Sequence, residues 1–181
     1  RNRTQQPPSG ARAILFLSLV SQCYAGCAIQ PDSQGHVVIP AAWTTVAAGA
    51  FYGCSSLASV AFEEPAQVAS IGGNGFRGCP LLTGMVLPPS VWSLGSHAFY
   101  GSNQALAHIP ATVTSIETSA IVSMSSLVSA DINVTGALVG SLCQGCTGLV
   151  NVTIRSSVSR ISGSAFYGAS ALESVTFEEP A

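Results

Sequence analysis

Cys143-Gln144-Gly145-Cys146 has the spacing of a dithiol redox pair, and it is the residue pattern in this chain that comes nearest to catalysis. Such chemistry needs a helix N-terminus or a neighbouring cation to lower one thiol's pKa. Neither is written into the flanking residues. Two paired carboxylates follow, Glu63-Glu64 and Glu178-Glu179. A hard cation wants six or more oxygens, so each pair falls short by itself and reads as a solvated turn. His36, His97 and His108 stand apart from any nucleophile or carboxylate pattern. Gly72-Gly73-Asn74-Gly75 lacks the Lys and the long helix of a phosphate loop. No second cysteine pair completes a four-ligand zinc site. Asn133-Val134-Thr135 and Asn151-Val152-Thr153 are glycosylation sequons, useful only in an exported eukaryotic chain. These residues predict no catalytic, cofactor or metal site.

What positions them is a repeat. Leu57-Ala58-Ser59-Val60-Ala61-Phe62-Glu63-Glu64-Pro65-Ala66 returns as Leu172-Glu173-Ser174-Val175-Thr176-Phe177-Glu178-Glu179-Pro180-Ala181, 115 residues later and five times 23. Unit starts at Ile39, Phe62, Leu87, Ile109, Ile132 and Ile154, closing at Phe177, lie 22–25 residues apart. A fixed period in this range marks a solenoid of stacked units. Leu57, Leu82, Leu106, Leu127, Leu149 and Leu172 form one apolar column, and Phe51, Phe76, Phe99, Ile121, Cys143 and Phe166 another. Val60/Phe62, Met85/Leu87, Ala130/Ile132, Val152/Ile154 and Val175/Phe177 alternate at period 2, as half-buried strands do. Gly53, Gly78, Gly101, Gly145 and Gly168 follow the Phe column, where a tight turn is expected. A coil of this length has no room for long helices, so the Ala-Phe-x-Gly segment is expected to be one short helical turn.

The cysteines follow from the same columns. Cys54, Cys79 and Cys146 share one, which predicts small buried apolar side chains. Stacking adjacent coils also brings Cys54 and Cys79 within disulfide range, so a bond there is the alternative.

The unit resembles the BspA-type leucine-rich repeat. Ala50-Phe51-Tyr52-Gly53-Cys54-Ser55-Ser56-Leu57, Pro89-Ser90-Val91 and Ala111-Thr112-Val113-Thr114-Ser115-Ile116 carry that resemblance, which extends from Val37 to Ala181. It implies a leucine-rich repeat solenoid, a right-handed coil of about six 23-residue units with a parallel β-sheet on one face and short helical turns. It also implies a secreted or surface-displayed, non-catalytic protein-interaction or adhesion module that needs no cofactor. In the fifth unit Leu142-Cys143 replaces Ala-Phe and Gly136-Ala137-Leu138 blurs the Val position, so an irregularity is expected there.

Only 8% of the chain is charged, against about 25% in an average soluble domain. Lysine is absent, and beyond Ala28 three arginines face eight acids, a formal charge of −5 (3 − 8). That excludes the clustered basic surface of a nucleic-acid binder. Residues 1–28 read as a secretory signal: a basic lead to Arg12, the apolar run 13–20, then small residues with cleavage after Ala25 or Cys27. A signal anchor, the sole membrane association envisaged, is the alternative. Residues 29–181 form the solenoid. The absence of an initiator Met and the stop in Phe-Glu-Glu-Pro-Ala predict a fragment of a longer array.

A protein or glycan partner would meet the outward positions of the main strands: Ser59/Ala61, Gly84/Val86, Ala107/His108, Ser129/Asp131, Asn151/Thr153 and Ser174/Thr176. These side chains are small. The larger candidate anchors are Trp92 and the column Tyr52, Tyr100 and Tyr167. A scaffold subunit buried in a larger assembly is the competing function. The series Ala61, Val86, Asp131, Thr153, Thr176 is no threonine ladder for ice.

Overall fold

In His36-Val37-Val38-Ile39 alternate residues turn inward, Val37 and Ile39 buried and the other two exposed. One such strand buries half of its side chains and leaves both backbone edges open. Its remedy is the same segment one coil later. The computed structural model describes residues 26–102, 106, 108–138 and 140–178. Twelve strands occur among them: β1 (His36–Ile39), β2 (Thr45–Val46), β3 (Ser59–Phe62), β4 (Ser70–Ile71), β5 (Ser93–Leu94), β6 (His108–Ile109), β7 (Ser115–Ile116), β8 (Ser129–Ile132), β9 (Gly136–Leu138), β10 (Asn151–Ile154), β11 (Val158–Ile161) and β12 (Ser174–Phe177). Every pairing is parallel and joins a strand to one in the adjoining coil, as in His36↔Ser59 and Asn151↔Ser174.

The strands form two faces. The main face carries β1 with β3, then the run β6-β8-β10-β12. A second face carries β2-β4-β5-β7 and β9-β11. The second ladder exceeds the single sheet expected from sequence. Its strands are mostly two residues long, too short for an alternation to register. On the main face Met85–Leu87 lacks the expected strand. Gly84 sits at φ +58, which breaks the extended path, and Pro88-Pro89 follow with no N–H to donate. The coil still keeps step, because Thr83 N–H donates to Ala58 O (3.0 Å) and Met85 and Leu87 stay buried. Where β9 of the fifth unit meets β11 the register shifts between Val158 and Arg160, so the extra residue lies in the sixth unit rather than in the fifth, where the irregularity was expected.

No helix occurs among the described residues. The Ala-Phe-x-Gly segments are successive β-turns whose amides alternate in destination. Ala50, Tyr52 and Cys54 N–H donate to Ala47, Gly49 and Phe51 O within the coil; Phe51 and Gly53 N–H donate to Gly75 and Arg77 O in the next. An α-helix would keep all of these bonds inside the coil and leave the next one unpaired. The geometry also needs two left-handed residues four apart, Asn74 (φ 57) with Gly78 (φ 69) and His97 (φ 56) with Gly101 (φ 75). At Gly95 the requirement is space: a Cβ there would lie 2.5 Å from Gly73 N.

The core is the set of columns. Phe51, Phe76 and Phe99 are fully buried and stacked, with ring centroids 5.1 and 5.5 Å apart. Leu57, Leu82, Leu106, Leu127 and Leu149 are likewise buried. The cysteine column does more than fill space. Cys79 Sγ donates to Phe51 O (3.0 Å), Ser102 Oγ to Phe76 O (2.5 Å) and Cys146 Sγ to Ile121 O (3.1 Å). Each donor reaches a carbonyl of the preceding coil. Ser102 Oγ also accepts from Cys79 N (2.8 Å). Ser102→Ala should therefore lose about 1–3 kcal/mol in urea denaturation, because two buried backbone groups lose their partner. Cys79→Ser should stay near the parent, since a hydroxyl already fills that role one coil on. Equal stability of Ser102→Ala and the parent would refute the donor role.

The alternative Cys54–Cys79 bond is not made; Cys54 is bonded to Cys27, with Cα atoms 5.3 Å apart. The reason lies at the first coil. Gly26 N–H donates to Tyr52 O (3.2 Å) and Ala28 N–H to Ala50 O (2.8 Å), so residues 26–28 run along the turn that carries Cys54. The Cys79 thiol instead donates to Phe51 O, in the turn that carries Cys54. The packed body thus starts no later than Gly26; the remainder of the signal-like segment lies outside the described residues.

Candidate binding surface

Phe51, Phe76 and Phe99 point inward, so the next residue of each turn, Tyr52, Arg77 and Tyr100, points out. Stacking puts these three in successive coils. The Arg77 guanidinium carbon lies 5.7 Å from the Tyr52 ring centroid and 5.1 Å from that of Tyr100, within range for cation–π attraction to both. Tyr52 and Tyr100 keep 37% and 43% of their surface exposed. Beneath lie Gly53, Gly78 and Gly101, stacked so that a Cβ on Gly78 would sit 3.7 Å from Gly53 Cα. Together they line a shallow cavity of about 240 Å³. Arg77 Nη1 donates to Asn74 Oδ1 (3.2 Å), and no ion pair to Arg77 occurs among the described residues.

Two of the four anchor candidates are therefore brought together, by a residue that sequence reading passed over. The signal was available: Arg77 holds the tyrosine position of its own unit. Tyr167 is 70% exposed but three coils away from Tyr100, with Val122 and Gln144 in between. Trp92 is 52% exposed just before β5; its carbonyl accepts from Thr114 and Ser115 N–H. It stands apart from the tyrosines, on the second face.

The main face carries cross-coil polar pairs. His108 Nδ1 contacts Ser129 Oγ (2.8 Å), Ser174 Oγ donates to Asn151 Oδ1 (2.8 Å), and His36 meets Ser59 in the same way. Two of the three histidines are thus strand residues rather than loop residues. Asn133 is half-buried, with Nδ2 donating to Ala111 O (2.9 Å) and Oδ1 accepting from Ser157 Oγ (2.9 Å); Asn151 is exposed on β10. Arg155 bridges Asp131 and Glu178, with Nη1 2.6 Å from Glu178 Oε1. Glu63 and Glu64 accept from Ala41 and Ala66 N–H (3.1 Å each), as turn carboxylates do.

The dithiol is sealed. Cys143 and Cys146 are both fully buried, and the Cys143 thiol is pushed up by its hydrogen bond to Cys146 and by burial. Burial pushes Cys79 up to about 11. Its folded pKa lies above the ordinary 9.0, so its contribution to stability is intact below pH 9 and fades as pH rises through 11. Among the described residues no three His, Cys, Asp or Glu side chains group as metal ligands.

The family model described as "BspA type Leucine rich repeat region" matches residues 18–143 and 141–180, in six copies. A leucine-rich repeat protein from Bacteroides ovatus is 27% identical with a TM-score of 0.66, over 81% of this chain and 39% of that one. The T. pallidum leucine-rich repeat protein is 25% identical with a TM-score of 0.56, over 76% and 78%. A leucine-rich repeat protein from Eubacterium ventriosum shares the fold at 21% identity and a TM-score of 0.55, over 78% and 48%. This chain therefore spans well under half of the Bacteroides protein. No curated protein matches it in sequence.

Proposed function

The chain belongs to the BspA-type leucine-rich repeat family, and from that premise we propose that it is a non-catalytic protein-interaction module, exported and acting in adhesion or recognition at the cell surface. The observation that carries this reading is the Tyr52–Arg77–Tyr100 cluster, since Tyr and Arg are the residues that dominate binding energy at protein interfaces. The Cys27–Cys54 bond supports export, because disulfides persist in oxidising compartments. Small side chains over the main face suit many shallow contacts, which gain strength through repetition.

The test is display of the full chain at high density on beads, presented to protein and glycan arrays of extracellular origin. Capture that drops when Tyr52 and Tyr100 are both changed to Ala is the expected result. Absence of capture at any density, with the chain instead running as a large assembly in size exclusion, would favour a scaffold subunit.

A further inference from the structure

We infer that the Tyr52–Arg77–Tyr100 clasp is a carboxylate site, and that its occupant is a single Asp or Glu side chain on an otherwise neutral segment of a partner protein. This rests on the interaction-module reading and gives it a ligand chemistry.

Charge is the first argument. Two described arginines lie in cross-coil contacts, and they differ. Arg155 meets Asp131 and Glu178. Arg77 occupies a comparable cross-coil position, yet its neighbours are two aromatic rings and the amide oxygen of Asn74. A guanidinium carries five N–H donors in a plane, and carboxylates match two of them at once. One donor is used by Asn74, which leaves a fork at the edge. The two rings engage the guanidinium through its charge, so the N–H donors that Asn74 does not take stay available to an incoming acceptor.

Size is the second. About 240 Å³ is below the roughly 300–1,000 Å³ of a site that encloses a small molecule. It suits one side chain. The glycine floor lets the backbone bearing that side chain come close, because nothing projects from Gly53, Gly78 or Gly101.

The third is the field of the whole chain. Beyond Ala28 three arginines face eight acids, so a run of carboxylates would be repelled on approach. A lone carboxylate between neutral neighbours gains the pair without that repulsion.

The experiment is NMR titration of the full chain, following the Arg77 side-chain Nε–H and the amides of Gly53, Gly78 and Gly101. The probes are N-acetylated, C-amidated Gly-Ser-Gly-Glu-Gly-Ser-Gly, the same blocked peptide with Gln for Glu, a hexaglutamate and sialyllactose. The Glu peptide should shift these signals at millimolar concentration. The Gln peptide should bind at least tenfold more weakly, and hexaglutamate should not exceed the single Glu per carboxylate. Arg77→Gln should lower affinity at least tenfold. Arg77→Lys, which keeps the charge and loses the fork, should lower it several-fold, with the remaining amide spectrum unchanged. Equal shifts by the Glu and Gln peptides, full binding by Arg77→Lys, or sialyllactose binding as tightly as the Glu peptide would each overturn the assignment. If the clasp fails while bead-displayed chain still captures partners, the carboxylate site alone falls. If both fail, the module reading falls with it.

Discussion

Phe76→Ala should cost about 4 kcal/mol, the largest single-residue loss expected in this molecule. Phe76 is the middle ring of three fully buried ones, stacked on Phe51 at 5.1 Å and on Phe99 at 5.5 Å. Truncating a buried Phe typically costs about 3–5 kcal/mol through lost transfer energy and the cavity left behind. Here two ring contacts go at once, each worth roughly 0.5–1.5 kcal/mol beyond area burial, which keeps the change off the low end of that range. A whole domain is stable by only about 5–15 kcal/mol. With a urea slope of about 2 kcal/mol/M the midpoint should fall by roughly 2 M. In a solenoid the damage has a further form. Each coil contacts only its neighbours, so weakening the interface between the first and second coils decouples the first coil from the rest. Hydrogen exchange should accordingly speed up more in β1 and β2 than in β10. Two comparisons separate packing from other causes. Phe76→Ile should lose about 1–3 kcal/mol, less than Phe76→Ala, since aliphatic bulk is kept and the two ring contacts go, and Ile121 fills the same column two coils on. Phe166→Ala should lose much less than Phe76→Ala, because Phe166 is only partly buried. An equal loss at positions 76 and 166 would contradict the stack as the source of stability.

Loss of the Cys27–Cys54 bond is expected to have the next largest effect. The bond joins residues 27 apart. Closing a loop of that length restricts the unfolded chain by about 3.5 kcal/mol in the chain-entropy account. For a chain of this size that corresponds to roughly 10 °C in melting temperature. The Cys27→Ser and Cys54→Ser variants, and the parent under reducing agent, should converge on the same lowered value. The loss should be concentrated at the N-terminal end. Gly26 and Ala28 donate to Tyr52 and Ala50 O, and these two bonds tie the segment to the turn. Without the covalent tie that segment is held by little else, and its amides should exchange first. The consequence reaches the binding surface, because Tyr52 and Cys54 lie in one turn. Partner capture should therefore weaken on reduction as well. A native chain whose Cys27 is alkylated without prior reduction, or whose melting is indifferent to reductant, would remove the bond from the account.

How much of this was legible beforehand differs by residue. The leucine and phenylalanine columns were readable because burial of each depends on spacing alone: once 23 residues return the chain to the same side, equivalent positions share an environment. The spacing of Cys143 and Cys146 has the same cause, being the separation of two repeat columns three residues apart. The two-residue strands of the second face were not readable. At that length no alternation exists, and hydrogen bonds to the adjoining coil supply what propensity does not. The short helical turn was misjudged on similar grounds. Ala-Phe-Tyr-Gly permits a helical turn locally, but sending alternate amides to the next coil satisfies both coils together.

By itself, then, the sequence determined the period, the columns and hence a solenoid of stacked coils, because periodic burial is a property of the chain's own order; the leucine-rich repeat type came from the resemblance of its motif. Only the tertiary structure decided which cysteine meets Cys54, which carbonyl each thiol or hydroxyl serves, and that Arg77 stands between Tyr52 and Tyr100. Those are contacts between coils, set by the few ångströms of lateral offset with which one turn stacks on the next, and a one-dimensional repeat carries no record of that offset.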